Sequence, residues 1–174
     1  MENEVIRTLC ERRSVRKYRP EQVEEAALTA ILKAGTYAAT GMGRQSPVIV
    51  AVQDPETREQ LRRMNAAVMG NPSADPFYGA PTVVIVLADR NVSTHVEDGS
   101  LVIGNMMNAA FSLGVDSCWI HRAREEFDSP EGKALLEKWG IRGDYRGVGH
   151  LILGYRADEL PAARERKKDY VVRV

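Results

Sequence analysis

Between His95 and Leu113 the chain carries apolar side chains on nearly every face of a helix: Leu101, Val102, Ile103, Met106, Met107, Ala109, Ala110, Phe111 and Leu113. A helix without a polar side has to be covered all round. Thr94 and Glu97 stand at capping-box spacing at its start, and Gly114 ends it. At 174 residues the chain is one domain, and few other elements remain to surround this helix. It is therefore either the centre of a monomer or the seam between two copies, and the shortage of covering elements favours the seam. A composition that is 44% hydrophobic and 28% charged supports a packed core and argues against disorder.

The elements around that helix alternate between types. Thr82–Leu87 reads as a strand buried on both faces, and Pro47–Val52 as a shorter one. Val115–His121 and Val148–Leu153 complete the strands, the last bracketed by glycines at 147, 149 and 154. Residues 2–11 make a short helix with Val5, Ile6 and Leu9 on one face. Pro20 opens a second helix, with Val23, Ala27, Ala30, Ile31 and Ala34 at helical spacing and Gly35 near its end. Asp54-Pro55 caps a third that runs to about Met69, and Ser129-Pro130 starts one that ends at Trp139-Gly140. Residues 70–81 hold three prolines and two glycines and cannot be regular for long. Their two large rings, Phe77 and Tyr78, either cover a ligand or plug a core edge. Tyr170–Val174 is β-prone and follows a polar stretch, 156–168, rich in Arg and Lys. Such an arm can pair with a sheet edge of its own or of another subunit.

The chemistry-bearing stretch is Arg12-Arg13-Ser14-Val15-Arg16. Arg12, Arg13, Arg16, Lys17 and Arg19 fall within eight residues, in a chain whose formal net charge is zero. The charge is thus local, which argues against a broad nucleic-acid surface. Arginine forks match phosphate oxygens two at a time and the Ser14 hydroxyl fills a third direction, so the cluster can hold a terminal phosphate on a small ligand. The bland alternative is a solvated basic turn. A second loop, Ala39-Thr40-Gly41-Met42-Gly43-Arg44-Gln45-Ser46-Pro47, contains Gly-x-Gly without the third glycine of a dinucleotide fingerprint, and it precedes a strand instead of following one. Glycines there let backbone approach a flat ligand, and Gln45 offers a two-sided amide.

Several classes are excluded. Cys10 and Cys118 make no disulfide framework and lack metal-ligand spacing, so no metal is expected. No apolar run approaches the ~18 residues of a membrane span, and the acidic start lacks a signal peptide's regions, so a cytoplasmic protein is expected. There is no P-loop and no Gly-x-Ser-x-Gly elbow. His95-Val96-Glu97 lacks the Pro-Cys-x-x-Cys that a zinc deaminase requires and reads as helix-start polarity.

Taken in order, Arg12–Arg16, the Thr40–Gln45 loop, Tyr78-Gly79-Ala80-Pro81 before a strand, the helix from Asp98 through Asn105 to Gly114, and Gly154-Tyr155 before a basic tail resemble the nitroreductase family of flavin enzymes over nearly the whole chain. The resemblance implies an α+β fold, an α-β-α sandwich in a homodimer with FMN at the subunit interface. Residues 1–160 would form the FMN-binding domain and 161–174 a C-terminal arm reaching the partner subunit. It implies that Arg12, Arg13 and Ser14 bind the phosphate and that Arg16 reaches the ribityl chain and pyrimidine edge. Ala39, Thr40, Gly41, Met42, Gly43 and Gln45 form the loop supplied by the partner. Trp119, Ile120, His121 and Arg122 lie against the isoalloxazine, with the His121 backbone N–H on N5. Arg164, Arg166 and Lys167 close on the phosphate. Gly43 stands where the family usually has asparagine, which leaves one ligand hydrogen bond open, and Ser46-Pro47 stands where Pro-Trp often follows.

The implied reaction passes hydride from NADH or NADPH through flavin N5 to an electron-poor small molecule, such as a nitroaromatic or a quinone, in ping-pong order. Arg16 supplies the charge that stabilises reduced flavin. No nucleic-acid or membrane partner is expected. Two alternatives remain at this point: a flavin-binding or flavin-processing relative without nitroreductase activity, and a non-flavin module that uses the basic cluster for acidic partners.

Overall fold

The computed structural model describes residues 2–174. Four strands, β1 (Pro47–Val52), β2 (Thr82–Asp89), β3 (Asp116–Ile120) and β4 (Tyr145–Gly154), form one sheet in the order β1-β2-β4-β3. Every neighbouring pair is antiparallel. β2 is buried on both faces, as its unbroken run of apolar residues requires. Val83, Ile85 and Leu87 turn to one face, and Val84, Val86 and Ala88 to the other.

The described residues form six α-helices: α1 (Glu4–Glu11), α2 (Glu25–Thr36), α3 (Pro55–Val68), α4 (His95–Ser112), α5 (Ala123–Asp128) and α6 (Pro130–Lys138). One face of the sheet packs against α2 and α4 through Leu28, Ile31, Val102, Ile103 and Met106. The other packs against α3, α5 and α6 through Leu61, Phe127, Leu135 and Leu136. The result is the expected α-β-α sandwich. No helix among the described residues is long and apolar enough to cross a membrane.

Local chemistry explains most boundaries. Asp54 accepts the Thr57 N–H at 2.8 Å, and Ser129 the Gly132 N–H at 3.0 Å, with a proline in the first turn of each helix. Two expectations are corrected. The second helix starts at Glu25, not at Pro20, because residues 20–24 serve as an extended strap. Gln22 and Gln53 tie that strap to Pro81 O and to the Thr82 hydroxyl, and Val23 is buried beneath it. Thr94 is the N-cap of α4 but caps no N–H, since its hydroxyl pairs with Asp98 at 3.2 Å. The short helix α5 has no counterpart in the sequence reading. Phe77 is fully buried and plugs the core, while Tyr78 stays open to solvent.

α4 also proves less uniform than its sequence pattern. Met106 is sealed inside, Met107 is half-buried, and Leu101 is 50% exposed. α1 buries none of its residues, so its Val5, Ile6 and Leu9 face solvent in the single chain.

Candidate active site

β3 is an edge strand, and the basic cluster docks against it. Ser14 makes a parallel bridge to Ser117, with the Val15 N–H on Ser117 O at 3.1 Å. The polar backbone of Ser117 therefore points away from β4. Alternation along the strand sends the backbone groups of Trp119, and then the His121 N–H, to the same outer side. Beyond Ser117 no strand among the described residues pairs with that edge. Trp119 is half-buried, Ile120 buried and His121 exposed. The chain then turns at Arg122 with φ 79, a left-handed conformation that non-glycine residues seldom adopt.

The arginines are built differently from one another. Arg13 Nη1 donates to Cys10 O at 2.7 Å and to Arg12 O at 2.8 Å, closing the end of α1. Arg12 Nη1 and Arg13 Nε are buried with no partner among the described residues. Burial, followed by the like charge of Arg13, lowers the Arg12 pKa. Two adjacent cations with unused buried donors make an anion-binding arrangement. Arg16 is exposed. Burial pushes the Cys118 thiol up, opposed by the charge of Arg16, by Ser14 and by the charge of Arg12.

The second loop sits elsewhere. Thr40 through Gln45 precedes β1, the opposite edge of the sheet, and no hydrogen bond or ion pair joins it to residues 12–16 or 119–122 among the described residues. It is tightly specified. Met42, Gly43 and Gln45 have φ of 55, 67 and 51. Asp98, at the start of α4 and only 2% exposed, accepts the Gly41 N–H at 2.9 Å and the hydroxyls of Ser46 and Thr94 at 3.2 Å. A Cβ on Gly41 would lie 2.2 Å from the Thr94 hydroxyl oxygen, so only glycine fits. Ala39 leads into this loop, and a cavity of about 260 Å³ opens below it between α2, β1 and α4.

The tail is anchored only at its root. Arg156 pairs with buried Asp116 at 3.1 Å and Lys17 with Asp158 at 3.0 Å. Arg164, Arg166 and Lys167 lie exposed in a stretch without regular structure, and Lys167 rests over the Tyr170 ring. The β-prone end, 171–174, forms no strand among the described residues. One chain thus unites Arg12, Arg13, Ser14 and Arg16 with the Trp119–Arg122 edge. It leaves the 39–45 loop and the tail cations apart.

Sequence reasoning missed the polar groups beneath this surface: Asp98 under the loop, and Asn65, Glu126 and His150 behind His121. The available signal was polarity out of place. Asn65 falls on the apolar side of α3 and His150 inside an apolar strand.

Three comparisons bear on this arrangement. The sequence pattern of the nitroreductase family matches residues 9–155. The FMN reductase (NAD(P)H) of Bacillus subtilis is 32% identical over 178 residues, covering 90% of this chain and 67% of that protein. Among solved structures, a Bacteroides fragilis nitroreductase with bound FMN superposes with a TM-score of 0.91 at 33% identity, covering 99% of this chain and 100% of that one. An FMN-dependent nitroreductase from Clostridium difficile gives 0.88 at 25% identity, with both chains fully covered.

Proposed function

The chain belongs to the nitroreductase family, and on that premise we propose that it is an FMN-dependent NAD(P)H oxidoreductase acting on electron-poor small molecules such as nitroaromatics and quinones. The residues present fit FMN. The carrying observation is the pair of unpartnered buried donors on Arg12 and Arg13, next to Ser14, on the open edge of β3. A phosphate monoester fills that need with charge-assisted hydrogen bonds. Arg12 and Ser14 hold the phosphate, and Arg13 both contributes Nε and locks the end of α1. The exposed guanidinium of Arg16 supplies positive charge for the pyrimidine edge. The outward-facing N–H of His121 is the donor to N5, and Trp119, Ile120 and Arg122 line that edge.

When bound, FMN supplies the exchange of two electrons between nicotinamide and acceptor in alternating half-reactions. That exchange requires a flat face open beside the flavin, and no side-chain nucleophile.

The site is completed by a second copy. Residues 1–160 form the binding domain, and the 161–174 arm reaches across to the partner. The arm then delivers Arg164, Arg166 and Lys167 to the phosphate, and the loop Ala39, Thr40, Gly41, Met42, Gly43 and Gln45 faces the partner's flavin. This reading is supported by the separation of loop and cluster in one chain and by the bare apolar faces of α1 and α4. Gly43 offers no side-chain donor, so Thr40 and Gln45 carry the loop's polar contacts.

The test is anaerobic spectroscopy on purified protein loaded with FMN. The yellow absorbance should bleach with NADH or NADPH and return on adding a quinone or nitroaromatic. A yellow protein inert to both nicotinamides would overturn the reductase reading. A colourless one that cannot be loaded would overturn the flavin site.

A further inference from the structure

Behind the open edge of β3 lies a buried polar chain that contacts no solvent. Asn65, on α3, is fully buried, and its amide is used on both sides. Nδ2 donates to His121 O at 2.9 Å and also to Glu126 Oε1. Oδ1 accepts from Arg122 Nε at 2.9 Å. Glu126, 1% exposed, presents its other oxygen 3.3 Å from His150 Nε2. The approach is close but off hydrogen-bond geometry, so His150 packs behind the carboxylate without donating to it. Its ring is held between Phe77 and Phe127, at centroid distances of 5.3 Å and 6.3 Å.

One residue thus grips two successive members of the turn that follows β3. The turn needs gripping, because Arg122 is left-handed without being glycine. The orientation of the His121 N–H is set on one side by its strand, where Ile120 pairs with His150. It is set on the other by the carbonyl of the same residue, which Asn65 pulls inward. With N–H outward and C=O inward, little backbone freedom remains at His121. Glu126 in turn leaves the Asn65 amide a single orientation, since a buried carboxylate beside it selects the NH₂ group and leaves the oxygen for Arg122.

We propose that Asn65, backed by Glu126, is a positioning residue that fixes the His121–Arg122 turn and thereby aims the His121 N–H at the redox edge of the flavin. The proposal rests on the reading of His121 given above. Asn65 touches neither flavin nor substrate and acts only through this turn.

The test compares wild type with Asn65→Leu, and with Asn65→Ser as a smaller replacement that keeps the helix intact if leucine prevents folding. The first readout is amide hydrogen exchange of the FMN-free protein. Exchange across 119–123 should accelerate about tenfold, as expected when a buried hydrogen bond no longer opposes local opening, while β2 keeps its protection. The second readout is anaerobic flavin bleaching at saturating nicotinamide. Its rate should fall about tenfold, with the FMN dissociation constant nearly unchanged because the phosphate contacts lie elsewhere. Unchanged exchange across 119–123 overturns the positioning role, whatever His121 does. Accelerated exchange with an unchanged bleaching rate overturns instead the assignment of the His121 N–H to the flavin.

Discussion

Arg12 and Arg13 are neighbours in sequence with different partners in space. Arg13 is half-committed to the carbonyls of Cys10 and Arg12, whereas Arg12 Nη1 is buried with nothing to bond. Arg12→Ala should therefore weaken FMN with little effect on riboflavin, which lacks the phosphate. The loss is about 1.5–3 kcal/mol, or roughly ten- to hundredfold in the dissociation constant, read by flavin fluorescence quenching. Arg13→Ala should add a loss of helicity at α1. Equal weakening of both flavins by Arg12→Ala would move the phosphate site elsewhere. Cys118 gives a prediction in pH. Burial raises its folded-state pKa above the ordinary 9.0. Below that value both folded and unfolded thiols are protonated and no stability is lost. Above it the unfolded thiol releases its proton first, so stability falls as pH rises, until the folded thiol also ionises. Tyr18, likewise raised mainly by burial, adds loss in the same direction from its ordinary 10.0 upward. Between about pH 8 and about pH 10 the wild type should lose more unfolding free energy than Cys118→Ala, measured by urea titration. Parallel losses in the two proteins would show that the thiol does not resist ionisation.

Single elements carry the site by being held at their ends, and α4 shows how. Its first turn offers Asp98 to the Gly41 N–H and to two hydroxyls, which ties the 39–45 loop to the helix. Asp98→Ala should leave those buried donors unpaired at a cost of about 1–3 kcal/mol. Hydrogen exchange should rise first at residues 40–46 and not in β2. Protection in the loop that survives the substitution would show that other contacts hold it. The helix itself was legible in the sequence, as were all four strands, because apolar period and proline-led caps are local signals. Pro47–Val52 and the Asp54 and Ser129 caps lie where the pattern puts them. What the sequence hid was non-local. Residues 20–24 stay extended because of Gln53 and Thr82, far along the chain. α5 is too short to show a period, and Arg122 enters it through a conformation that no residue type there announces. The basic cluster and the β3 end stand out in the sequence, and the fold brings them to one sheet edge. The support of the β3 end by Asn65 and Glu126, and of the 39–45 loop by Asp98, was not legible, since a buried polar residue reads like a surface one until its partners are known.

At the scale of the molecule the open question is what covers the apolar surface that one chain leaves bare. Val5, Ile6 and Leu9 on α1, Leu101 on α4 and Met42 in the loop are all exposed, as are Val171 and Val172 in the tail. A second copy is the proposed cover, with flavin between the chains. The fold separates a test of that seam from a test of the core. Met106 and Met107 lie about 100° apart on the helix. Met106 is sealed within the chain, where its side chain leaves no room for a Cβ on Gly35. Met106→Glu should therefore unfold the protein outright, by placing a charge in a core with no partner for it, and says nothing of assembly. Leu101→Glu and Leu9→Glu place charge where the single chain is already open to water, so neither should disturb the fold of the chain. In a dimer the same carboxylates would have to be desolvated at the seam, at a cost of several kcal/mol. Each variant should run in gel filtration at half the wild-type mass, keep its far-ultraviolet circular dichroism, and lose bound FMN as the dimer is lost. Removing residues 161–174, which takes away Arg164, Arg166 and Lys167 together, should weaken FMN retention and the dimer in the same way. A folded monomer of Leu101→Glu that retains a full complement of FMN and still oxidises nicotinamide would show that one chain builds the whole site. The 39–45 loop and the tail would then have to be assigned another purpose.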